Sequence, residues 1–138
     1  MKVYVAEPLF TPGERRYAEE IDALVRDLGF NTYLPHRDAG VFERGKSSSR
    51  TFFENDLKEL KECAFVVAIL NGTDVDSGTA WEIGYAYAIG KPVYGILEDT
   101  RKPTLDLLNP MIVNSIVKIA LNKEELETTL KEIKSIDC

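Results

Sequence analysis

Residues 76–86 combine two carboxylates, two glycines and a helical pattern. The apolar run 65–70 and a turn at 71–74 precede them, so Asp76 and Glu82 come where a buried strand gives way to a helix. In open α/β sheets, ligands bind at that edge. The positive end of the helix dipole is expected to keep such carboxylates ionised. An ionised carboxylate in a cleft can act as a nucleophile at a sugar carbon.

The same stretch also has a purely structural interpretation. Thr79 and Glu82 have the spacing of a capping box, in which the glutamate bonds back to the first amide of the helix. Asp76 and Ser77 could also be simple N-caps. Against this, the segment holds more capping residues than one helix start can use, and Gly78 allows close approach of a ligand. Spacing alone leaves both interpretations open.

Asp56 and Tyr4 are two further candidates. Asp56 follows Phe52 by four residues and precedes Leu57, so it could border the apolar stripe of a helix near the crevice; a solvated position is the alternative. Tyr4 lies on a strand predicted to be buried on both faces. Its hydroxyl then needs a partner, which a carboxylate at the crevice would supply.

The size and charge of the chain limit its partners. Its 138 residues predict one domain, 1–138. A net charge of −6 disfavours a nucleic-acid polymer, because phosphate binding requires a basic face. No apolar run approaches the roughly 20 residues of a membrane span, and the chain starts directly with a strand. We therefore expect a cytoplasmic protein without a membrane partner.

The chain is poor in metal ligands, and its motifs do not favour a nucleotide cofactor. Cys63, Cys138 and His36 are its only cysteines and histidine, so neither a disulfide framework nor a metal site is expected. It has no Gly-x-Ser-x-Gly or Gly-x-Gly-x-x-Gly motif. Residues 40–47 fit the spacing Gly-x-x-x-x-Gly-Lys-Ser, but they lie within the predicted loop 36–50 and do not directly follow a predicted strand, as a phosphate loop does. This argues against a serine triad, ATP hydrolysis and a dinucleotide cofactor, and no cofactor is expected. Glycosyl chemistry, which needs a carboxylate nucleophile and a proton donor, fits the residues better.

Strands and helices are predicted to alternate along the chain. Helices are predicted at about 13–28, 51–62, 78–89 and 122–135, and strands at 2–6, 31–34, 65–70, 93–97 and 116–120. A loop is predicted at 36–50, and 99–113 is predicted to be irregular, with room for one helical turn. This order predicts an α/β, flavodoxin-like (Rossmann-like) three-layer fold with a five-stranded parallel sheet of order 2-1-3-4-5. The carboxyl ends of strands 1, 3 and 4 would then form one crevice.

Six segments, spread in order over nearly the whole chain, form a recognisable series. They are VYVA at 3–6 with PLF at 8–10, LPHRD at 34–38, NDL at 55–57, DVDSGTAWEIGYA at 74–86, GKPV at 90–93 and LNPMI at 108–112. Together they resemble the nucleoside 2-deoxyribosyltransferase family. The segment at 74–86 is quite specific for this family by itself. The other segments are weak individually and support the resemblance through their order along the chain.

The resemblance implies a role for each candidate. Glu82 would attack C1′ of a 2′-deoxyribonucleoside, and Tyr4 would orient its carboxylate. Asp56 and Asp76 would hold the base and handle its proton. The implied activity is transfer of 2-deoxyribose between nucleobases by double displacement, in nucleotide salvage. The partners are then 2′-deoxynucleosides and free nucleobases.

The resemblance also implies a homo-oligomer with shared active sites. In the family a neighbouring subunit completes the site, and here the donor segment would run from Asn109 to Ser115. Asn114 or Ser115 would reach the sugar 5′-hydroxyl, and Met111 would also bind substrate. The apolar stretch at 107–113 is typical of such an interface.

Three more residues in or beside the matching segments are expected to bind substrate: Glu7, Asp38 and Gly78. Glu7 is a departure, because the family usually has glycine there; its side chain could crowd the sugar or bind its hydroxyls. A fixed negative charge at Glu7 would repel a 5′-phosphate. We therefore expect unphosphorylated substrates.

Two alternatives remain. The related 2′-deoxynucleoside 5′-monophosphate N-glycosidases use water as acceptor and need a phosphate site, which Arg44, Arg50 and the serines at 47–49 could provide. A flexible surface loop explains those residues equally well. The second alternative is a non-catalytic nucleotide-binding module, which would not require a nucleophile.

Overall fold

The computed structural model describes residues 1–41, 43–46, 48–99, 101 and 108–137. Within them the strands are β1 (Lys2–Ala6), β2 (Asn31–Tyr33), β3 (Phe65–Ile69), β4 (Val93–Ile96) and β5 (Lys118–Ala120). The helices are α1 (Pro12–Asp27), α2 (Pro35–Asp38), α3 (Ser49–Glu62), α4 (Ser77–Ala88), α5 (Pro110–Val113) and α6 (Lys123–Ile136). None of the helices in this part of the chain is long and apolar enough to cross a membrane.

The five strands form one parallel sheet in the order β2-β1-β3-β4-β5, which confirms the predicted flavodoxin-like fold. β1 lies between β2 and β3, and Tyr4 pairs in register with Tyr33 on one side and Val66 on the other. The strand order reverses between β1 and β3, and in such sheets a crevice opens at this point.

Each face of the sheet carries its own apolar core. Val3 and Val5 belong to the core packed against α1 and α6, whereas Tyr4 and Ala6 belong to the core that includes residues of α3 and α4. This alternation follows from the two-residue period of a strand. It directs the Tyr4 side chain towards the helices that carry Asp56 and Glu82.

Local signals account for the ends of the long helices. Thr11 and Glu14 form a capping box at the start of α1, and Gly29, with a φ of +90°, follows its last turn. Asn122 caps α6 by accepting a hydrogen bond from the Glu125 amide at 2.8 Å. These contacts join residues that are close in the chain, so the ends of α1 and the start of α6 can be predicted from the sequence.

Some predicted boundaries are wrong. α2 covers the first residues of the segment predicted as a loop at 36–50, because Pro35 is well suited to the first position of a helix. α3 begins at 49 instead of 51. α5, at 110–113, is the one helical turn for which the segment predicted as irregular had room. β5 covers only 118–120 of the predicted 116–120. Positions 42, 47, 100 and 102–107 of these segments lie outside the described residues.

Candidate active site

Asp76 starts α4 and thereby determines where Glu82 lies. Its Oδ2 accepts a hydrogen bond from the Thr79 amide at 3.1 Å, so Asp76 is the N-cap. The capping-box interpretation of Glu82 is therefore wrong, because Thr79 is already inside the helix. Glu82 falls in the second turn, and its Oε2 accepts a hydrogen bond from the Tyr4 hydroxyl.

A pair of stacked tyrosines holds two of the predicted carboxylates. The rings of Tyr4 and Tyr33 lie 5.4 Å apart, and Tyr33 donates a hydrogen bond to Asp56 Oδ1 at 2.9 Å. Adjacent strands thus fix carboxylates from two different helices. Sequence reasoning missed Tyr33, although its position at the end of the second predicted strand was a usable signal.

Asp56 and Glu82 line one cavity of about 270 Å³ between α3 and α4. Its lining is otherwise mainly apolar and consists of Phe53, Asp56, Leu57, Leu60, Gly78, Trp81 and Glu82. Phe53 and Trp81 are 43% and 49% exposed, and their ring centroids lie 5.7 Å apart. A Cβ at Gly78 would lie 3.2 Å from Asp76 Oδ2, so glycine avoids a tight contact there. Flat aromatic surface beside two carboxylates suits a planar base attached to a sugar.

Burial and like charges dominate the electrostatics of the cluster. Burial raises the pKa of Glu82, the Tyr4 hydrogen bond lowers it, and Asp56, Asp76 and Glu7 raise it again, to about 8. The prediction that the helix dipole keeps Glu82 ionised is therefore wrong near neutral pH, because desolvation and neighbouring carboxylates outweigh the dipole. The ionised form that nucleophilic attack requires predominates only above about pH 8. Burial also raises the pKa of Asp56.

The Tyr4 hydroxyl is a permanent donor. Burial and the charges of Glu82 and Asp56 raise its pKa well above the ordinary range of tyrosine. The hydroxyl therefore stays protonated while the carboxylates around it exchange protons. Such a cluster can supply a carboxylate and a carboxylic acid side by side, which is the pair that glycosyl transfer requires.

Glu7 is buried directly after β1, and it is paired. Its side chain is 0% exposed, and Oε1 lies 2.7 Å from His36 Nδ1, whereas no partner is found for Oε2 among the described residues. Burial raises the pKa of Glu7, and the His36 hydrogen bond lowers it, giving about 7. We expected Glu7 to present a free negative charge to the sugar. Instead, its carboxyl group is paired with His36.

Asp38 is held by residues close to it in the chain. Its Oδ2 accepts hydrogen bonds from the Leu34 amide at 2.9 Å and from Arg37 Nη2 at 2.7 Å. The Arg37 hydrogen bond is the main reason why the pKa of Asp38 is lowered. Asp38 thus orders the turn from β2 into α2.

The predicted donor segment makes local contacts, and part of it lines a different cavity. Asn109 caps α5, Asn114 Nδ2 donates to the Pro110 carbonyl at 2.8 Å, and Ser115 Oγ donates to the Met111 carbonyl at 2.7 Å. Asn114 and Ser115 line a second cavity with residues 90–93, where β4 begins. Met111 is 80% exposed.

The basic residues proposed for a phosphate lie at the surface. Arg50 Nε donates to Glu54 Oε1 at 2.8 Å, and its guanidinium carbon lies 5.8 Å from the Phe53 ring centroid, near the cavity. Arg44 is exposed in a turn, and Ser47 lies outside the described residues. No group of three or more side chains suited to a metal ion occurs among the residues that the structure describes.

Comparison with solved structures supports the fold and the family. A conserved protein from Enterococcus faecalis V583 is 27% identical, with a TM-score of 0.84 over 96% of this chain and 98% of that one. A 2-deoxyribosyltransferase from Bacillus psychrosaccharolyticus is 30% identical, with a TM-score of 0.76 over 94% and 96%. A CMP N-glycosidase from Clostridium botulinum is 19% identical, with a TM-score of 0.63 over 96% and 99%, a likeness of fold alone.

The sequence match extends over most of the chain. Residues 3–130 match the family model for nucleoside 2-deoxyribosyltransferases. The match includes Asp56 and Glu82, which line the cavity, and Tyr4, which donates a hydrogen bond to Glu82. The chain therefore belongs to the nucleoside 2-deoxyribosyltransferase family.

Proposed function

We propose that the protein transfers 2-deoxyribose between nucleobases through a covalent deoxyribosyl-Glu82 intermediate, within nucleotide salvage. The observation that carries this proposal is the hydrogen bond from Tyr4 to Glu82 in a cavity that also contains Asp56. The hydrogen bond that Tyr4 donates to Oε2 fixes the plane of the Glu82 carboxylate. Oε1 then remains available to form a bond to the sugar. Fixed orientation of a nucleophile is a main source of catalysis.

In the first step, Glu82 Oε1 forms a bond to C1′ while the bond from C1′ to the base nitrogen breaks. The electron pair of that bond goes to the base, which takes a proton from Asp56 or Asp76. In the second step, the nitrogen of another base attacks C1′ and returns its proton to the same aspartate. Glu82 leaves as a carboxylate, and two inversions retain the configuration.

The aromatic edge of the cavity is assigned to the base. Phe53 and Trp81 are partly exposed aromatic side chains in its lining, and the polar groups of Asp56 and Glu82 lie in the same cavity. A volume of about 270 Å³ lies just below the range usual for drug-sized ligands. It suits one base with its sugar and leaves little room for a longer substrate.

The charge of the site favours substrates without a phosphate. Glu82 feels the charges of Asp56, Asp76 and Glu7, and like charges would repel a 5′-phosphate bound next to them. Arg50 near Phe53 is the observation that favours the alternative, an N-glycosidase acting on 2′-deoxynucleoside 5′-monophosphates. Its pairing with Glu54 at the surface reduces that support.

A homo-oligomer with shared sites is part of the proposal. Met111 and Tyr87 are strongly exposed apolar side chains, which is typical of a surface that a second copy covers. Asn109, Asn114 and Ser115 would then approach the sugar of a neighbouring subunit.

The deciding experiment incubates a deoxynucleoside with a different free base and separates the products by chromatography. Transfer predicts a new nucleoside that contains the second base, and Glu82→Gln should form none. Free deoxyribose alone would instead indicate hydrolysis. If the 5′-monophosphate reacts at least about tenfold faster and yields only base and sugar phosphate, the N-glycosidase alternative replaces the transferase.

A further inference from the structure

Tyr33 binds one oxygen of Asp56 and leaves the other oxygen available. Its hydroxyl donates a hydrogen bond to Asp56 Oδ1 at 2.9 Å, and no hydrogen bond to Oδ2 is found among the described residues. Tyr33 is buried, whereas Asp56 is half-buried and lines the cavity that also contains Glu82. The double displacement described above assigns no role to Tyr33.

The register of the sheet explains why Tyr33 reaches Asp56. Tyr4 and Tyr33 are partners in the pairing of β1 with β2, and their rings lie 5.4 Å apart with an angle of 30° between their planes. Tyr4 donates to Glu82 of α4, while Tyr33 donates to Asp56 of α3. Two neighbouring strands therefore hold two carboxylates of one cavity, each by one oxygen.

Asp76, the other aspartate considered for the proton of the base, is engaged differently. Its Oδ2 accepts a hydrogen bond from the Thr79 amide at 3.1 Å and lies 3.4 Å from the Thr79 hydroxyl. Protonation would make Asp76 a weaker acceptor and so weaken the N-cap of α4. Asp56 lies in the middle of α3 and caps no helix. Asp56 can therefore carry a proton without cost to a helix end, and Asp76 can still accept a hydrogen bond from the base.

The charges around Asp56 give the Tyr33 hydrogen bond a clear effect. The groups that face Asp56 are the hydroxyls of Tyr4 and Tyr33 and the carboxylates of Glu59, on the same helix, and Glu82. Burial raises the pKa of Asp56, the Tyr33 hydrogen bond lowers it, and Glu59 raises it again. Burial and Asp56 also raise the pKa of Tyr33, so its hydroxyl stays a donor. Tyr33 thus stabilises the carboxylate that remains after Asp56 has given up a proton.

We propose that Tyr33 is a positioning residue, whose hydrogen bond to Oδ1 makes Oδ2 of Asp56 the oxygen that exchanges a proton with the base. In the first step the O–H bond at Oδ2 breaks and the proton binds the base nitrogen, which has received the electron pair of its bond to C1′. The incoming base returns a proton to Oδ2 in the second step. The Tyr33 hydrogen bond strengthens as Asp56 becomes charged, so it lowers the barrier to departure of the base. The proposal rests on the proposed function in assigning this proton to Asp56.

Carboxyl ¹³C NMR of protein labelled at aspartate tests the hydrogen bond without any turnover. The Asp56 signal is the one lost in Asp56→Asn. Tyr33→Phe keeps the ring and removes the hydroxyl, so the titration midpoint of Asp56 should rise by at least about 0.5 pH unit. Tyr17→Phe is the matched control, because it removes a hydroxyl that donates to Glu98 at 2.6 Å on the other face of the sheet. It should leave the Asp56 midpoint unchanged.

The dependence of the rate on the leaving base tests the effect on the reaction. Halogen substituents on a base that the wild type releases make that base more acidic, so it departs with less help from a proton donor. Tyr33→Phe should lower kcat/KM by about 10–100-fold with the unsubstituted base and by less than about threefold with the most acidic one. In an Asp56→Asn background, Tyr33→Phe should cost less than about threefold with any base.

The wild-type protein supplies the test if Tyr33→Phe does not fold. The ring ¹³Cζ signal of Tyr33 should then shift with the midpoint of Asp56 and stop shifting in Asp56→Asn, and a Tyr33 signal that ignores Asp56 would overturn the proposal. So would an Asp56 midpoint in Tyr33→Phe within about 0.2 pH unit of wild type, or an equal loss of rate for every leaving base. The base departs in hydrolysis as well as in transfer. Release of free sugar alone would therefore contradict the proposed function and leave the assignment of Tyr33 intact.

Discussion

Replacing Glu82 by glutamine is expected to make the protein more stable at alkaline pH. The pKa of Glu82 rises from an ordinary 4.5 to about 8 in the folded protein, mainly through burial. Between these two values the folded state binds more protons than the unfolded state. The free energy of unfolding therefore falls as the pH rises through this window. Glutamine removes the penalty, because it is neutral at every pH and still accepts a hydrogen bond from Tyr4.

The size of the effect follows from the shift. At about 1.4 kcal/mol per pH unit, the full rise would correspond to about 5 kcal/mol as an upper limit. Glu82 is only partly buried and shares protons with its neighbours, so we expect about 1–3 kcal/mol above pH 8. For a chain of this length, that corresponds to a rise in Tm of roughly 3–12 °C. Below pH 5 the two proteins should differ little.

Thermal unfolding followed by circular dichroism at pH 5 and pH 8.5 measures this difference. Glu132→Gln, an exposed position on α6, is the control for loss of one surface charge. If wild type and Glu82→Gln show parallel Tm curves across the whole pH range, burial does not raise the pKa of Glu82, and the electrostatic description of the cluster is refuted.

The other predictions concern the groups around Glu82 and the surface of the subunit. Asp56→Asn and Asp76→Asn should each lower kcat/KM by about 10²–10⁴-fold, and normal steady-state rates would show that neither assists the leaving base. Asn is also a good N-cap, so Asp76→Asn should keep the wild-type Tm, whereas Asp76→Ala should lose about 1 kcal/mol in thermal unfolding. Tyr4→Phe removes the hydrogen bond that lowers the pKa of Glu82, so the acidic limb of the rate profile should move to higher pH; an unmoved limb contradicts this. Met111→Glu should dissociate the oligomer in light scattering and reduce activity with it, and a fully active wild-type monomer would exclude shared sites.

Much of the fold could be predicted because its signals are local. The apolar strands, the caps Thr11 and Asn122 and the alternation of strands and helices are all set by neighbouring residues, and the sheet order follows from them. The start of α4 shows the limit of such signals. Asp76, Ser77 and Thr79 are all acceptable N-caps, and only the path of the chain after β3 selects Asp76.

The candidate site could be predicted in part, for a different reason. Glu82, Asp56 and Tyr4 belong to segments whose types and order resemble a family, and the structure brings them together. The contacts of Glu7 with His36 and of Tyr33 with Asp56 join residues 29 and 23 positions apart. Pairings of this kind depend on tertiary packing and leave no periodic signal in a single sequence. The same holds for the pKa of Glu82, since burial determines it.

Trapping the covalent intermediate is the most direct test of the central claim that Glu82 is the nucleophile. A 2′-deoxy-2′-fluoro nucleoside should slow breakdown of the glycosyl-enzyme, because fluorine destabilises the positive charge that develops at C1′. Mass spectrometry of the digested protein should then find the fluorinated sugar on the peptide that contains Glu82, and on no peptide of Glu82→Gln. A label on another carboxylate, or steady turnover with no labelled peptide, would contradict the mechanism.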